Sequence, residues 1–74
     1  MDIKEKFGIK VKQYRKKNKL TQEELSEKTG LDRTYISYIE NGKKSISLKN
    51  IEKIALALNI REKELFDFSD IEVG

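Results

Sequence analysis

The chain has no cysteine, no histidine, no tryptophan and no proline. Without cysteine there is neither a disulfide framework nor a thiolate metal site. Without histidine as well, the usual general base, activated nucleophile and imidazole ligand are all missing, which argues against an enzyme and against a metal or other cofactor. Absence of proline suits a chain that is almost entirely helical. Apolar runs are short, the longest being Ile54–Leu58, so no segment approaches membrane-spanning length. The N-terminus is charged rather than apolar, which gives no signal-peptide pattern and makes the cytoplasm the expected location. No linker, repeat or low-complexity segment interrupts the 74 residues, and the expectation is one domain over 1–74.

Charge is what the chain has in quantity. Residues 1–60 carry 14 basic and 8 acidic side chains, whereas 61–74 carry 2 basic and 5 acidic, so a basic body precedes a short acidic tail over 67–74. A basic body suits a polyanion, because neutralising phosphates releases counterions. On charge alone a solvated helical domain that wears many lysines is the better reading; the pattern at the centre of the chain tips it the other way.

That centre is Thr21–Gly42, TQEELSEKTGLDRTYISYIENG. Thr21 and Glu24 make a capping box, and Leu20 and Leu25 occupy the positions of a hydrophobic staple across it. Gly30 ends the first helix in the left-handed conformation. Asp32 is the next N-cap, stapled by Leu31 and Ile36, and Asn41-Gly42 closes the second helix. Small Ser26 stands where the two helices cross. The second helix turns Ile36 and Ile39 inward and leaves Arg33, Thr34, Ser37, Tyr38 and Asn41 for something polar. The major groove of B-DNA admits a helix of this diameter and presents donors and acceptors at its floor.

Periodicity places the remaining helices. The spacing predicts helices over 3–18, 22–29, 33–41, 48–58 and 61–66, an all-α fold. Phe7, Val11 and Tyr14, extended by Ile3, form the core stripe of the first, with Gly8 where another helix comes close. Its lysines, Lys10 among them, read as a solvated face. Arg15 is expected to pair with Glu40, which sits beside inward Ile39 and has no other evident role. Ser47 caps the fourth helix, whose stripe is Leu48, Ile51, Ala55 and Leu58, and Asn59 stops it. Its N-terminus, with Ser45, Ser47 and Lys49, suits a phosphate. Leu65 and Phe66 close the core. Leu56, Ile60, Leu65, Phe66, Phe68, Ile71 and Val73 together amount to more apolar surface than a small monomer exposes, which favours a dimer interface over a tail folded back on its own core.

The strings Leu20-Thr-Gln-Glu-Glu-Leu25, Gly30-Leu-Asp-Arg-Thr-Tyr-Ile-Ser37 and Ile39-Glu-Asn-Gly42 resemble the Xre/Cro-repressor helix-turn-helix family, with the likeness running from about Phe7 to Phe66. Within that family, LDRTYIS followed by ISLKNIEKIALAL and an acidic end looks most like the small controller proteins of restriction–modification systems. The resemblance implies a compact five-helix Cro/repressor-like domain that binds palindromic double-stranded DNA as a homodimer and regulates transcription, with RNA polymerase a candidate partner. It implies base reading by Arg33, Thr34 and Ser37 with Tyr35 and Tyr38 flanking them, although tyrosines three apart also suit the rim of a core. It implies backbone contacts from Asn41, Lys43, Lys44, Ser45 and Ser47, either a phosphate contact or the orienting of a base-reading side chain from Gln22, and an internal Arg15–Glu40 pair. Lys43-Lys44 stands where controllers often carry an arginine, so minor-groove insertion is not carried over. Other readings are a phage or mobile-element repressor, or an antitoxin-type regulator whose tail grips a protein.

Overall fold

Each α-helix starts at a side chain that satisfies one of its first free amides. In the computed structural model, which describes residues 1–71, Asp2 opens α1 (Ile3–Lys17). Its carboxylate accepts from the Glu5 amide at 3.0 Å, and Glu5 accepts in return from the Asp2 amide at 3.0 Å. Thr21 and Glu24 repeat that exchange, at 3.0 and 2.8 Å, at the start of α2 (Gln22–Thr29). Asp32 caps α3 (Arg33–Glu40) by accepting from the Thr34 amide at 2.7 Å, and Ser47 caps α4 (Leu48–Ala57) by accepting from Asn50 at 3.1 Å.

Where the fifth helix was expected there is a 3-10 helix, Glu62–Phe66. The Glu64 amide bonds the Arg61 carbonyl three residues back, and five residues are too few to establish the wider α-helical ladder. Among the described residues the architecture is therefore all-α, with four α-helices and this one tighter turn. α1 ends at Lys17 because Asn18 turns its side chain back onto the Tyr14 carbonyl at 2.8 Å and Lys19 adopts φ 58°.

α2 and α3 meet across a three-residue turn. Gly30, at φ 74°, reverses the chain there. Ser26 donates to the Leu31 carbonyl, while Thr29 Oγ1 donates to the Leu25 carbonyl at 2.8 Å and accepts from the Leu31 amide at 3.1 Å. The core beneath comprises Phe7, Val11, Leu25, Ile36, Ile39, Ile51, Ile54, Ala55, Leu58 and Leu65. Burial of each large aliphatic side chain contributes about 1.5–3 kcal/mol. Leu48 does not join them. It is 85% exposed, because it shares with Glu52 and Leu56 the face of α4 opposite Ile51, Ile54 and Leu58.

The tail departs most from expectation. Leu65 has no exposed surface and Ile71 only 9%, so neither is left on the surface of the chain for a dimer interface, and Leu65 sits in the chain's own core. Val73 lies outside the described residues. The physical reason is Lys10, which is buried rather than solvated. Its Nζ meets Asp70 Oδ1 at 2.8 Å, and an ammonium taken out of water needs such a partner. Hydrogen bonding to Lys10 holds the Asp70 carboxyl below its ordinary value of 3.8. A lowered carboxylate stabilises the fold above that ordinary value, and the contribution is lost as pH falls below it.

Gly8 shows how closely α1 and α3 approach. A Cβ there would lie 2.7 Å from the Glu40 carbonyl oxygen and would meet the Ile39 oxygen as well. Helix propensity alone makes Gly8→Ala stabilising by up to ~1 kcal/mol. Overpacking against backbone reverses the sign, and the expected result is a net loss of about 1–3 kcal/mol in urea denaturation. A more stable Gly8→Ala protein would show that the two helices are free to slide apart.

Candidate nucleic-acid interface

The outer face of α3 follows from its length and its inward residues. Eight residues make little more than two turns, and Ile36, Ile39 and Glu40 take the buried side. Arg33, Thr34 and Tyr38 are left exposed, with Tyr35 and Ser37 half-buried beside them. Gln22, at the first position of α2, joins Arg33, Thr34 and Ser37 around a shallow polar notch open to solvent.

Beneath that notch lies a buried network. Arg15 Nε reaches Glu40 Oε2 at 2.6 Å and Arg15 Nη2 reaches Glu40 Oε1 at 3.0 Å, a two-point fork, while Nη1 donates to the Leu20 carbonyl at 2.8 Å. Gln22 Nε2 donates to Glu40 Oε1 at 3.1 Å. A carboxylate can only accept, so this bond fixes which way the Gln22 amide points: NH2 toward Glu40, with one N–H and the carbonyl left to offer elsewhere. Gln22 is thus oriented by Glu40.

The remaining candidates flank α3. Tyr35 Oη accepts from Asn50 Nδ2 at 3.1 Å, which ties the ring to α4 while the hydroxyl hydrogen stays available. Asn41 lies exposed past the end of α3, its Nδ2 3.5 Å from Ser37 Oγ. Lys44 sets its ammonium 5.6 Å from the Tyr38 ring centre, a cation–π contact that holds the loop against α3. Gly42, at φ 69°, starts that loop so close to α1 that a Cβ would lie 2.8 Å from Glu5 Cα. Lys43, Lys44, Ser45, Ser47 and Lys49 are all exposed along the loop and the first turn of α4. Ser47 spends its acceptor on the cap, which leaves its O–H as a donor. Two side chains were missed from sequence: Asn50, which links Tyr35 to the α4 cap, and Lys10. Both had a signal. Asn50 is the third residue of a capped helix, and Lys10 borders the stripe of Phe7, Val11 and Tyr14, one turn before Tyr14.

No group of three or more His, Cys, Asp or Glu that could hold a metal ion occurs among the described residues. The helix-turn-helix family profile matches residues 11–65, most of the chain. The chain belongs to the Xre-type helix-turn-helix family. This Xre-type chain is 54% identical over 72 residues to control protein C.MunI of Mycoplasma sp, covering 96% of this chain and 95% of that one. It is similar to the crystal structure of the restriction–modification controller protein C.AhdI from Aeromonas hydrophila, at 44% identity and TM-score 0.82, covering 84% of this chain and 94% of that one. It also resembles SinR, the master regulator for biofilm formation, solved in complex with DNA, at 35% identity and TM-score 0.77 over 82% of this chain and 98% of that one. The family is one of transcriptional regulators rather than enzymes, and this member is a helix-turn-helix DNA-binding regulator close to the restriction–modification controllers.

The Arg15–Glu40 pair gives a stability test. Both side chains are almost fully enclosed, so Glu40→Ala strands a guanidinium and is expected to cost about 3–5 kcal/mol. The double variant Arg15→Met, Glu40→Leu is expected to recover much of that loss in a double-mutant cycle, since two apolar residues leave no charge stranded and only the Leu20 carbonyl and the Gln22 amide short of a partner. Additive losses would mean that the two charges do not depend on each other.

Proposed function

We propose that the chain works as a single cytoplasmic domain that binds a palindromic operator as a homodimer and, like a restriction–modification controller, sets transcription from that site, with RNA polymerase as its partner there. The observation that carries this reading is the uncovered outer face of α3, polar and backed by a rigid ion pair. Arg33 offers a two-point contact to guanine O6 and N7, worth ~1–3 kcal/mol of discrimination. Thr34 offers a methyl to thymine or a hydroxyl to phosphate, and Ser37 a hydroxyl to a base edge. Tyr35 and Tyr38 flank these three. Gln22, Asn41, Lys43, Lys44, Ser45, Ser47 and Lys49 hold the sugar–phosphate backbone, several of them around the α4 N-terminus, whose free amides favour an anion.

For dimerisation the supporting feature is the outward face of α4 and the 3-10 helix. Leu48, Leu56 and Phe66 are exposed there beside half-buried Ile60, and Lys49, Lys53, Glu52 and Glu62 line the shallow grooves between them. A face with both signs of charge around an apolar centre can pair with itself about a two-fold axis. Half-sites then fall roughly one helical turn apart, about 34–36 Å. Residues 67–71 of the tail, folded against α1 through Asp70 and Phe68, speak against an antitoxin-type reading in which that segment grips another protein. Among the described residues no helix is long and apolar enough to cross a membrane.

Footprinting on DNA upstream of the protein's own gene, followed by binding titrations on the protected sequence, tests the assignment. Arg33→Ala is expected to flatten preference at one base pair of each half-site. Lys43→Ala and Lys44→Ala are expected to weaken binding to every sequence alike and to lower the salt slope by about one each. Uniform loss from Arg33→Ala would remove it from base reading.

A further inference from the structure

The segment 67–71 is not accounted for by the nucleic-acid interface, and of its side chains only Ile71 is buried in the fold. It is folded by its own bonds: the Asp67 carboxylate accepts from the Ser69 amide at 3.1 Å and from the Ser69 hydroxyl at 2.7 Å, and the Ile71 amide closes on the Phe68 carbonyl at 3.0 Å. Two side chains then fasten it to α1 and a third is buried in the fold. Asp70 takes the ammonium of Lys10, a residue only 5% exposed; Phe68 lies under Lys6 Nζ, 5.0 Å from its ring centre; and Ile71 is buried. The strap also reaches forward. The Phe68 ring stands edge-on to Phe66 at 6.3 Å, and Phe66 in turn packs on Phe7 at 5.1 Å. Phe66 is therefore wedged between α1 and the strap, yet it is 43% exposed and lines the groove that runs along Leu48 and Glu52.

We propose that the strap is a positioning element for self-association: by seating Phe66 it shapes the face on which a second copy of the chain docks, so that Asp70 and Phe68 govern dimer strength without touching the partner's DNA or their own. This rests on the dimer reading above, and its occupant is a second copy because that face carries both acidic and basic rims around its apolar centre. An aromatic ring fixed in advance loses little rotamer freedom on association, whereas a ring free to swing must be ordered then. Lys10 makes the latch stringent. Once Asp70 lets go, the nearly buried ammonium keeps the Tyr14 ring, 5.5 Å away, but loses its carboxylate, so the strap is held where that carboxylate is needed.

Sedimentation equilibrium on the full chain tests this, with circular dichroism reporting helicity and melting. Phe68→Ala and Asp70→Asn are expected to weaken dimerisation about tenfold, the size of effect expected from unseating one aromatic anchor. Helicity should be kept, and Asp70→Glu should restore most of the loss. Operator binding by the two weakened variants should lose affinity at low protein concentration and regain it above their dimerisation constant, because no DNA contact has been removed. Wild-type self-association with variants that dimerise as well as it does, whatever their melting temperature, overturns the strap's role and leaves the dimer reading standing. A wild-type chain that stays monomeric at high micromolar concentration, with and without operator DNA, overturns both.

Discussion

The buried fork between Arg15 and Glu40 is the contact on which the rest of the molecule depends. It is costly to build, since two charges leave water, and it holds because nearly every valence is answered. The guanidinium spends Nε and Nη2 on Glu40 and Nη1 on the Leu20 carbonyl, and the carboxylate accepts Gln22 as well. Among the described residues no buried side-chain nitrogen or oxygen lacks a partner. One network thus joins α1, the start of α2 and the end of α3. That is the set of elements whose relative placement decides where the outer face of α3 points.

A helix of eight residues would not persist alone in water. α3 exists because Asp32 caps it, Ile36 and Ile39 bury its inner edge, Gly8 lets α1 come against its last carbonyls, and Glu40 pins its end. The consequence for recognition is rigidity. Side chains presented from a helix fixed at both ends reach their partners with little left to order, and most of the binding free energy is then free for discrimination.

What could be read from sequence was local or doubly determined. Thr21 with Glu24, and Asp32, announce helix starts through bonds that span two or three residues, and Gly30 announces a turn only glycine makes easily. The Arg15–Glu40 pair spans 25 positions, yet Glu40 next to inward Ile39 had to find a cation, and the family pattern named the same two residues. The tail was not legible for the opposite reason. Lys10 and Asp70 are 60 positions apart, and a lysine among lysines looks solvated until the helix is packed. Leu48 was misread because a ten-residue helix carries two apolar sides, and periodicity alone does not say which leucine belongs to which. For the surface of α3, sequence gave residue types; the bonds from Asn50 to Tyr35 and from Glu40 to Gln22, which orient two of them, needed the fold.

The second side of α4 connects these points. Its inner residues Ile51, Ile54, Ala55 and Leu58 are committed to the core, while Leu48 and Leu56 stand two turns apart on the outside with Glu52 between them. An exposed leucine stripe on so short a helix is unfavourable for a lone monomer and is relieved by a partner on that face. The same helix begins at the Ser47 cap with Lys49 beside it, where a phosphate is best held, and Asn50 in its first turn fastens Tyr35 of α3. Under the proposed reading α4 is a rigid spacer, touching DNA at its start and the partner along its side. The separation of the two recognition helices is then set by one helix packed into one core, and a palindrome with the wrong spacing is rejected by geometry before any base is read.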